Sequence, residues 1–147
     1  MLTLLPSPSP FRLLLVEADD AVSAALSRGI QRAGWVVVHA RTAAAALQMR
    51  AEFGPDVVLL SLNLPDMDGG ALAARLAEQG GCGVVAMSGR GDAAGQAVLA
   101  RGAHDFITKP MAIRDVVTRL DAAVRRMAKG ASSDTMAPQG MNAACLT

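Results

Sequence analysis

Polar side chains stand directly after short apolar runs. Glu17, Ala18 and Asp19 follow Leu13-Leu14-Leu15-Val16, Ser61 follows Val57-Val58-Leu59-Leu60, Ser88 follows Val84-Val85-Ala86-Met87, and Lys109 comes just after Asp105-Phe106-Ile107. Parallel strands with these ends would gather a carboxylate cluster, two hydroxyls and an ammonium in one cleft. The C-terminal edge of the strands is where open α/β sheets place their chemistry. Ser61 closes the central run, so it marks the place to look. A serine hydroxyl is not ionised near neutral pH and needs an adjacent base before it can attack. Neither histidine qualifies: His39 follows the second apolar run, and His104 starts the fifth, at the far end from the cleft.

The elements that must position these groups alternate along the chain. Val57 to Leu60 is an uninterrupted apolar run after the turn Gly54-Pro55, the pattern of a strand buried on both faces. The first strand is expected over Leu13–Val16, with Asp19 or Asp20 capping a helix whose apolar positions include Val22, Leu26 and Ile30 and which Gly34 stops. Trp35–Val38 is expected as the second strand, and Thr42 as cap of an Ala-rich helix to about Glu52. A third helix spans about Gly69–Gln79, the fourth strand Val84–Met87, and a helix capped by Asp92 reaches Arg101. After the strand Asp105–Ile107, the last helix shows one apolar face: Ile113, Val116, Val117, Leu120, Ala123, Val124 and Met127. Arg125, Arg126 and Lys129 gather at its C-terminal end, which reads as interaction with the helix dipole rather than a binding patch. Periodicity ends at Gly130. Five strand–helix repeats with right-handed crossovers give a flavodoxin-like, doubly wound (βα)5 fold, class α/β, with a five-stranded parallel sheet in the order 2-1-3-4-5.

Composition bounds the partners. The 147 residues suit one domain, and with 52% hydrophobic but 3% aromatic residues the core is built from Ala, Val, Leu and Met. Fourteen Lys and Arg against thirteen Asp and Glu leave a net charge of +1, with no long like-charge block to attract nucleic acid or membrane. Cys82 and Cys145 match no metal or redox spacing and read as free thiols in a reducing compartment. The start, Met1 to Phe11, lacks the basic region and long apolar core of a signal peptide, and no run approaches the roughly 20 apolar residues of a membrane span. A cytoplasmic location, no membrane partner and no cofactor are expected.

Four blocks carry a resemblance: Val16 to Asp20, Pro55 to Gly69, Val85 to Asp92 and Gly102 to Pro110. Together, and in this order, they resemble the signature blocks of bacterial response-regulator receiver domains (CheY-like), with Lys109 to Arg126 most like the closing helix of winged-helix (OmpR/PhoB-type) transcription regulators. The resemblance implies a Pro/Ser leader over 1–10, a receiver domain over 11–129 and a tail or linker over 130–147. It implies a two-component system, in which a histidine kinase passes a phosphoryl group to an aspartate after strand three, with Mg²⁺ shielding the attack. By position it assigns Lys109 to the phosphoryl-pairing lysine, Ser88 to the hydroxyl, Phe106 to the aromatic switch coupled to that hydroxyl, Glu17 to the first acid, and Asn63 to the backbone-carbonyl metal ligand. The phosphoacceptor position, however, holds Ser61, and the second acidic position holds Ala18.

With both carboxylates replaced, a hard cation would find Glu17, Asp19 and one carbonyl, a poor set for Mg²⁺, while Lys109 can pair with Glu17 or Asp19 directly. The site reads as a degenerate phosphorylation site without metal, catalytic residue or enzymatic activity: a pseudo-receiver in which phosphorylation no longer sets the state. Asp66, Asp68 and Gly69 read as turn and cap chemistry. The expected mode of action is homodimerisation through helix 4, strand 5 and helix 5, or binding of a protein partner, in transcription regulation. By the same resemblance Asp105, Asp115 and Arg119 fall on that face, and Asp105 and Arg119 match positions that in the winged-helix regulators exchange salt bridges across the dimer axis. DNA would be met only through a domain outside this segment. The alternative is phosphorylation at a non-standard residue: Ser61, Asp66 or Asp19. A small-molecule binder of unrelated flavodoxin type is disfavoured, since no Gly-rich loop follows the first strand.

Overall fold

The computed structural model describes residues 10–89 and 91–136. Strands and helices alternate: β1 Arg12–Val16, α1 Asp20–Arg32, β2 Val36–Ala40, α2 Ala43–Phe53, β3 Val57–Ser61, α3 Gly69–Gln79, β4 Gly83–Ser88, α4 Asp92–Ala100, β5 Asp105–Thr108 and α5 Ile113–Met136. The strands form one parallel sheet in the order β2-β1-β3-β4-β5. This is the expected doubly wound arrangement, with each helix returning the chain across a face of the sheet.

The period-two geometry of the strands divides the core in two. Leu14, Val16, Val58 and Leu60 face one way, with Leu72, Ala73 and Leu76 of α3, Ala43 and Ala46 of α2, and Val98 of α4. Leu13, Leu15, Val57 and Leu59 face the other, with Leu26 and Ile30 of α1 and Val116, Leu120 and Ala123 of α5. Every residue of β3 is buried, as a central strand covered on both faces requires. The helix starts follow local chemistry. Asp19, Thr42 and Asp68 each accept a backbone N–H three residues on, at Val22, Ala45 and Ala71. At Gly69, an added Cβ would stand 2.3 Å from the Leu62 Cα, so only glycine lets α3 begin this close to the end of β3.

Three boundaries differ from expectation. The second strand is Val36–Ala40, not Trp35–Val38: the Trp35 N–H is still held by the Ile30 carbonyl, while His39 and Ala40 pair with Leu15 and Val16. Trp35 instead buries its ring beside Phe11, with ring centroids 5.2 Å apart. The residue capping α4 is Gly91, at φ +92, and Asp92 is already the first helical residue. Finally, α5 continues past Gly130 through Met136. Arg125 and Arg126 therefore lie within the helix, not in its last turn, and the dipole account of the basic trio fails; Arg126 Nη1 donates to the His104 carbonyl at 2.8 Å. The leader residues 1–9, the end of the tail at 137–147 and Cys145 lie outside the described residues.

Candidate functional site

The cleft assembles as the strand order demands. Glu17, only 3% exposed, sits just past β1. Its Oε1 accepts from Lys109 Nζ at 3.1 Å, across 92 positions of sequence, and its Oε2 accepts from the Asp19 N–H at 3.0 Å. The Lys109 side chain is 28% exposed. Of the two pairings open to Lys109, the ammonium takes Glu17, because the Asp19 carboxylate is turned to the start of α1, its Oδ1 accepting from Val22 N at 3.0 Å. Ala18, between them, adds no side-chain donor.

Ser61 ends β3 at 1% exposure. Its Oγ accepts from the Asn63 N–H at 3.2 Å, and Asn63 bridges to Asp68 across the loop. Ser88, also buried, ends β4 beside it, and its carbonyl accepts from the Lys109 N–H at 2.9 Å. The structure thus brings Glu17, Asp19, Ser61, Asn63, Ser88 and Lys109 to one edge of the sheet.

Of the two histidines, His104 stands where expected and only His39 differs. His39 lies within β2, and its Nε2 donates to the Glu17 carbonyl at 2.8 Å, steadying the loop after β1. His104 is at the opposite edge, where its Nδ1 accepts from the Val84 N–H at 2.9 Å. Burial, and then the nearby Arg126 charge, push the His104 imidazole below its ordinary pKa.

Two groups in the loop after β3 act beyond local turns. Asp68 caps α3 and also pairs with Arg101, the residue that caps the C-terminal end of α4, at 3.0 Å. Asp66 reaches across to α2, where its two oxygens accept from Ala43 N at 2.8 Å and Ala44 N at 3.0 Å. Those two backbone donors hold the Asp66 carboxyl below its usual pKa. Nothing in the sequence marks a carboxylate so far from the helix that it caps. Arg41 pairs with Asp20 and joins the starts of α1 and α2.

On the flank, the Phe106 ring packs against Gly95 of α4, where an added Cβ would stand 2.4 Å from the ring. Arg119 Nη1 donates to Asp105 Oδ1 at 2.9 Å and to the Phe106 carbonyl at 3.0 Å. The pair expected to reach across a dimer axis is therefore closed within one chain. Asp115, in the first turn of α5, lines a groove with Arg119 and Phe106.

The sheet order, the blocks at its strand ends and a direct comparison agree. Residues 13–121 match the family described as "Response regulator receiver domain". The chain belongs to that family. It is 36% identical over 115 residues to the transcriptional regulatory protein KdpE of Mycobacterium tuberculosis H37Rv, covering 78% of this chain and 51% of that protein. It is 30% identical over 112 residues to the TorCAD operon transcriptional regulatory protein TorR of Escherichia coli K12, covering 76% of this chain and 49% of the relative. The chain thus spans about half the length of these curated relatives. Among solved structures, the receiver domain of TorR superposes with a TM-score of 0.75 at 28% identity, covering 80% of this chain and 99% of the other. The CheY-like receiver domain of Methanospirillum hungatei JF-1 superposes at 0.77, covering 83% and 99%, and at 24% identity shows the shared fold. The chain is thus a receiver domain of the two-component type, related to transcriptional regulators. No helix among the described residues is long and apolar enough to cross a membrane.

The Mg²⁺ that receiver chemistry implies does not fit the donors here. One Glu17 oxygen is bound to an ammonium, Asp19 caps a helix, Ala18 offers no oxygen, and Ser61 is a neutral, buried hydroxyl. Among the described residues, no group of three or more His, Cys, Asp or Glu side chains could hold a metal ion.

Proposed function

We propose that this receiver domain works without phosphoryl transfer, as a pseudo-receiver that acts by pairing with a second copy or by binding another protein, in transcription regulation. One observation carries the reading: the residue ending β3 is Ser61, 1% exposed and bonded to the Asn63 N–H, so that position offers a neutral hydroxyl and no carboxylate. The other candidate acceptors are engaged, Asp19 at the start of α1 and Asp66 at the start of α2. The ammonium of Lys109 already neutralises Glu17. These arrangements favour one resting state, against the alternative of phosphorylation at Ser61, Asp19 or Asp66.

The contact surface proposed is the face of α4, β5 and α5. It carries Leu99 at 38% exposure and the groove edged by Asp115 and Arg119. Exposed ion pairs contribute only about 0–1 kcal/mol each, so apolar area must dominate any pairing there. DNA contact would belong to a domain outside this segment, as the shared half of the transcriptional regulators suggests.

Analytical ultracentrifugation with and without beryllofluoride and Mg²⁺ tests the reading, together with intact mass after incubation with acetyl phosphate and Mg²⁺. The expected result is a dimer, or a partner complex, indifferent to the additives and free of any phosphoryl adduct. A monomer that dimerises only with the additives, or an adduct on the wild-type chain, would overturn it. The double variant Ala18→Asp/Ser61→Asp is expected to gain the adduct.

A further inference from the structure

A second recess opens on the other flank of Lys109. It is a groove of about 510 Å³ between α1 and the segment joining β5 to α5, walled by Val22, Ala25, Leu26, Met111 and Ile113. Among the described residues, Lys109 is the one charged residue in its lining. Beyond this opening the two helices touch: at Gly29 an added Cβ would stand 2.6 Å from the Ile113 Cγ2, so glycine lets α5 lie directly on α1. The volume lies within the range of small-molecule sites, roughly 300–1,000 Å³. An apolar wall with one charged group is the pattern of a site that holds a hydrophobic body and orients it by a single polar end.

The chemistry of that polar end follows from Lys109. An ammonium has three donors and no acceptor, and Glu17 Oε1 takes one of the three. An anionic oxygen complements what remains, whereas a cationic head would face the ammonium. We propose that the groove between α1 and the β5–α5 segment binds a small amphiphilic acid, its apolar body on Val22, Leu26 and Ile113 and its anionic head at Lys109. A ligand there touches the residue that also holds Glu17, and so reaches the strand-end cleft without phosphoryl chemistry. The proposal goes beyond the phosphorylation-independent reading and stands on the groove alone; either can fail without the other.

The test is calorimetric titration of the chain with decanoate, decanol and decylamine, each below its micelle-forming concentration. Decanoate is expected to bind about tenfold tighter than decanol, the size of a hydrogen bond to a charged group, with decylamine weakest. Ala25→Trp, at an exposed position of α1, should fill the groove and abolish binding. Lys109→Met should bring decanoate to the affinity of decanol and leave decanol unchanged. No saturable binding by any of the three would overturn the proposal, as would equal binding of decylamine and decanoate. Binding unchanged in Ala25→Trp, which is informative even if Lys109→Met fails to fold, would overturn it too.

Discussion

The two edges of the sheet use opposite charges for the same purpose. At the C-terminal edge of the strands, carboxylates accept from helix N–H groups: Asp19 at Val22, Asp66 at Ala43 and Ala44, Asp68 at Ala71. At the N-terminal edge, arginines donate to carbonyls: Arg12 Nε to Phe53 at 3.1 Å, Arg50 to Gly80, and Arg126 to His104. The winding explains the division. Each helix runs back against its strand, so helix N-termini, with free N–H groups and positive dipole ends, collect at one edge, and helix C-termini at the other. An acidic cluster at the C-terminal edge of such a sheet therefore has a structural cause before it has a functional one. What separates Glu17 from its acidic neighbours is its burial and its pairing with an ammonium rather than with a helix start.

The largest break in this comparison is expected at Lys109. Lys109→Met leaves a buried carboxylate without its counter-charge, and chemical denaturation should show a loss of about 2–3 kcal/mol, less than for a fully buried pair because the lysine is partly exposed. Adding Glu17→Gln should recover much of that loss; a double variant no more stable than the single one would mean that the ion pair does not hold this edge. Next comes Gly95→Ala, which must displace the Phe106 ring and is expected to cost about 1–3 kcal/mol in thermal or denaturant unfolding. An unchanged midpoint would show that the ring moves freely. Asp68→Ala, which removes the cap of α3, should cost about 1 kcal/mol by the same measurement.

The smallest effect sharpens the comparison through pH. His104, at the arginine-bearing edge, keeps a depressed pKa and accepts from Val84 as a neutral ring. The unfolded chain takes up its proton first, so this contribution is complete above about pH 6.5 and is lost as pH falls through the lower folded value. Asp66, at the acidic edge, behaves alike at lower pH: its contribution is complete above the ordinary carboxylate value and fades as pH falls through its lowered one. Denaturant midpoints should decline in two separate windows, the upper one absent in His104→Asn and the lower one absent in Asp66→Asn.

The sheet was legible because its signals are local. Four-residue apolar runs, Gly54-Pro55, and the capping residues Asp19 and Thr42 each act within a few positions, and the polar residues after each run follow from strand order alone. The end of β2 was not legible, since Trp35, Val36, Val37 and Val38 are all good strand formers. It was decided by the Trp35 N–H staying with α1 and by the pairing of His39 and Ala40 with β1. The sequence allows Lys109 either of two acids, and the capping of α1 by Asp19 leaves Glu17 as its partner.

By itself the amino-acid sequence determined the order of elements, the wound parallel sheet and the identity of the side chains at its C-terminal edge, Ser61 and Ala18 among them. The tertiary structure alone decided which charges meet. Asp66 caps a helix 23 positions away, Arg119 closes on Asp105 within the chain, and an apolar groove opens beside Lys109. The physical reason is range: hydrophobic period and capping are written in neighbouring residues, whereas a partner across a fold is set by where the packed helices place each backbone group.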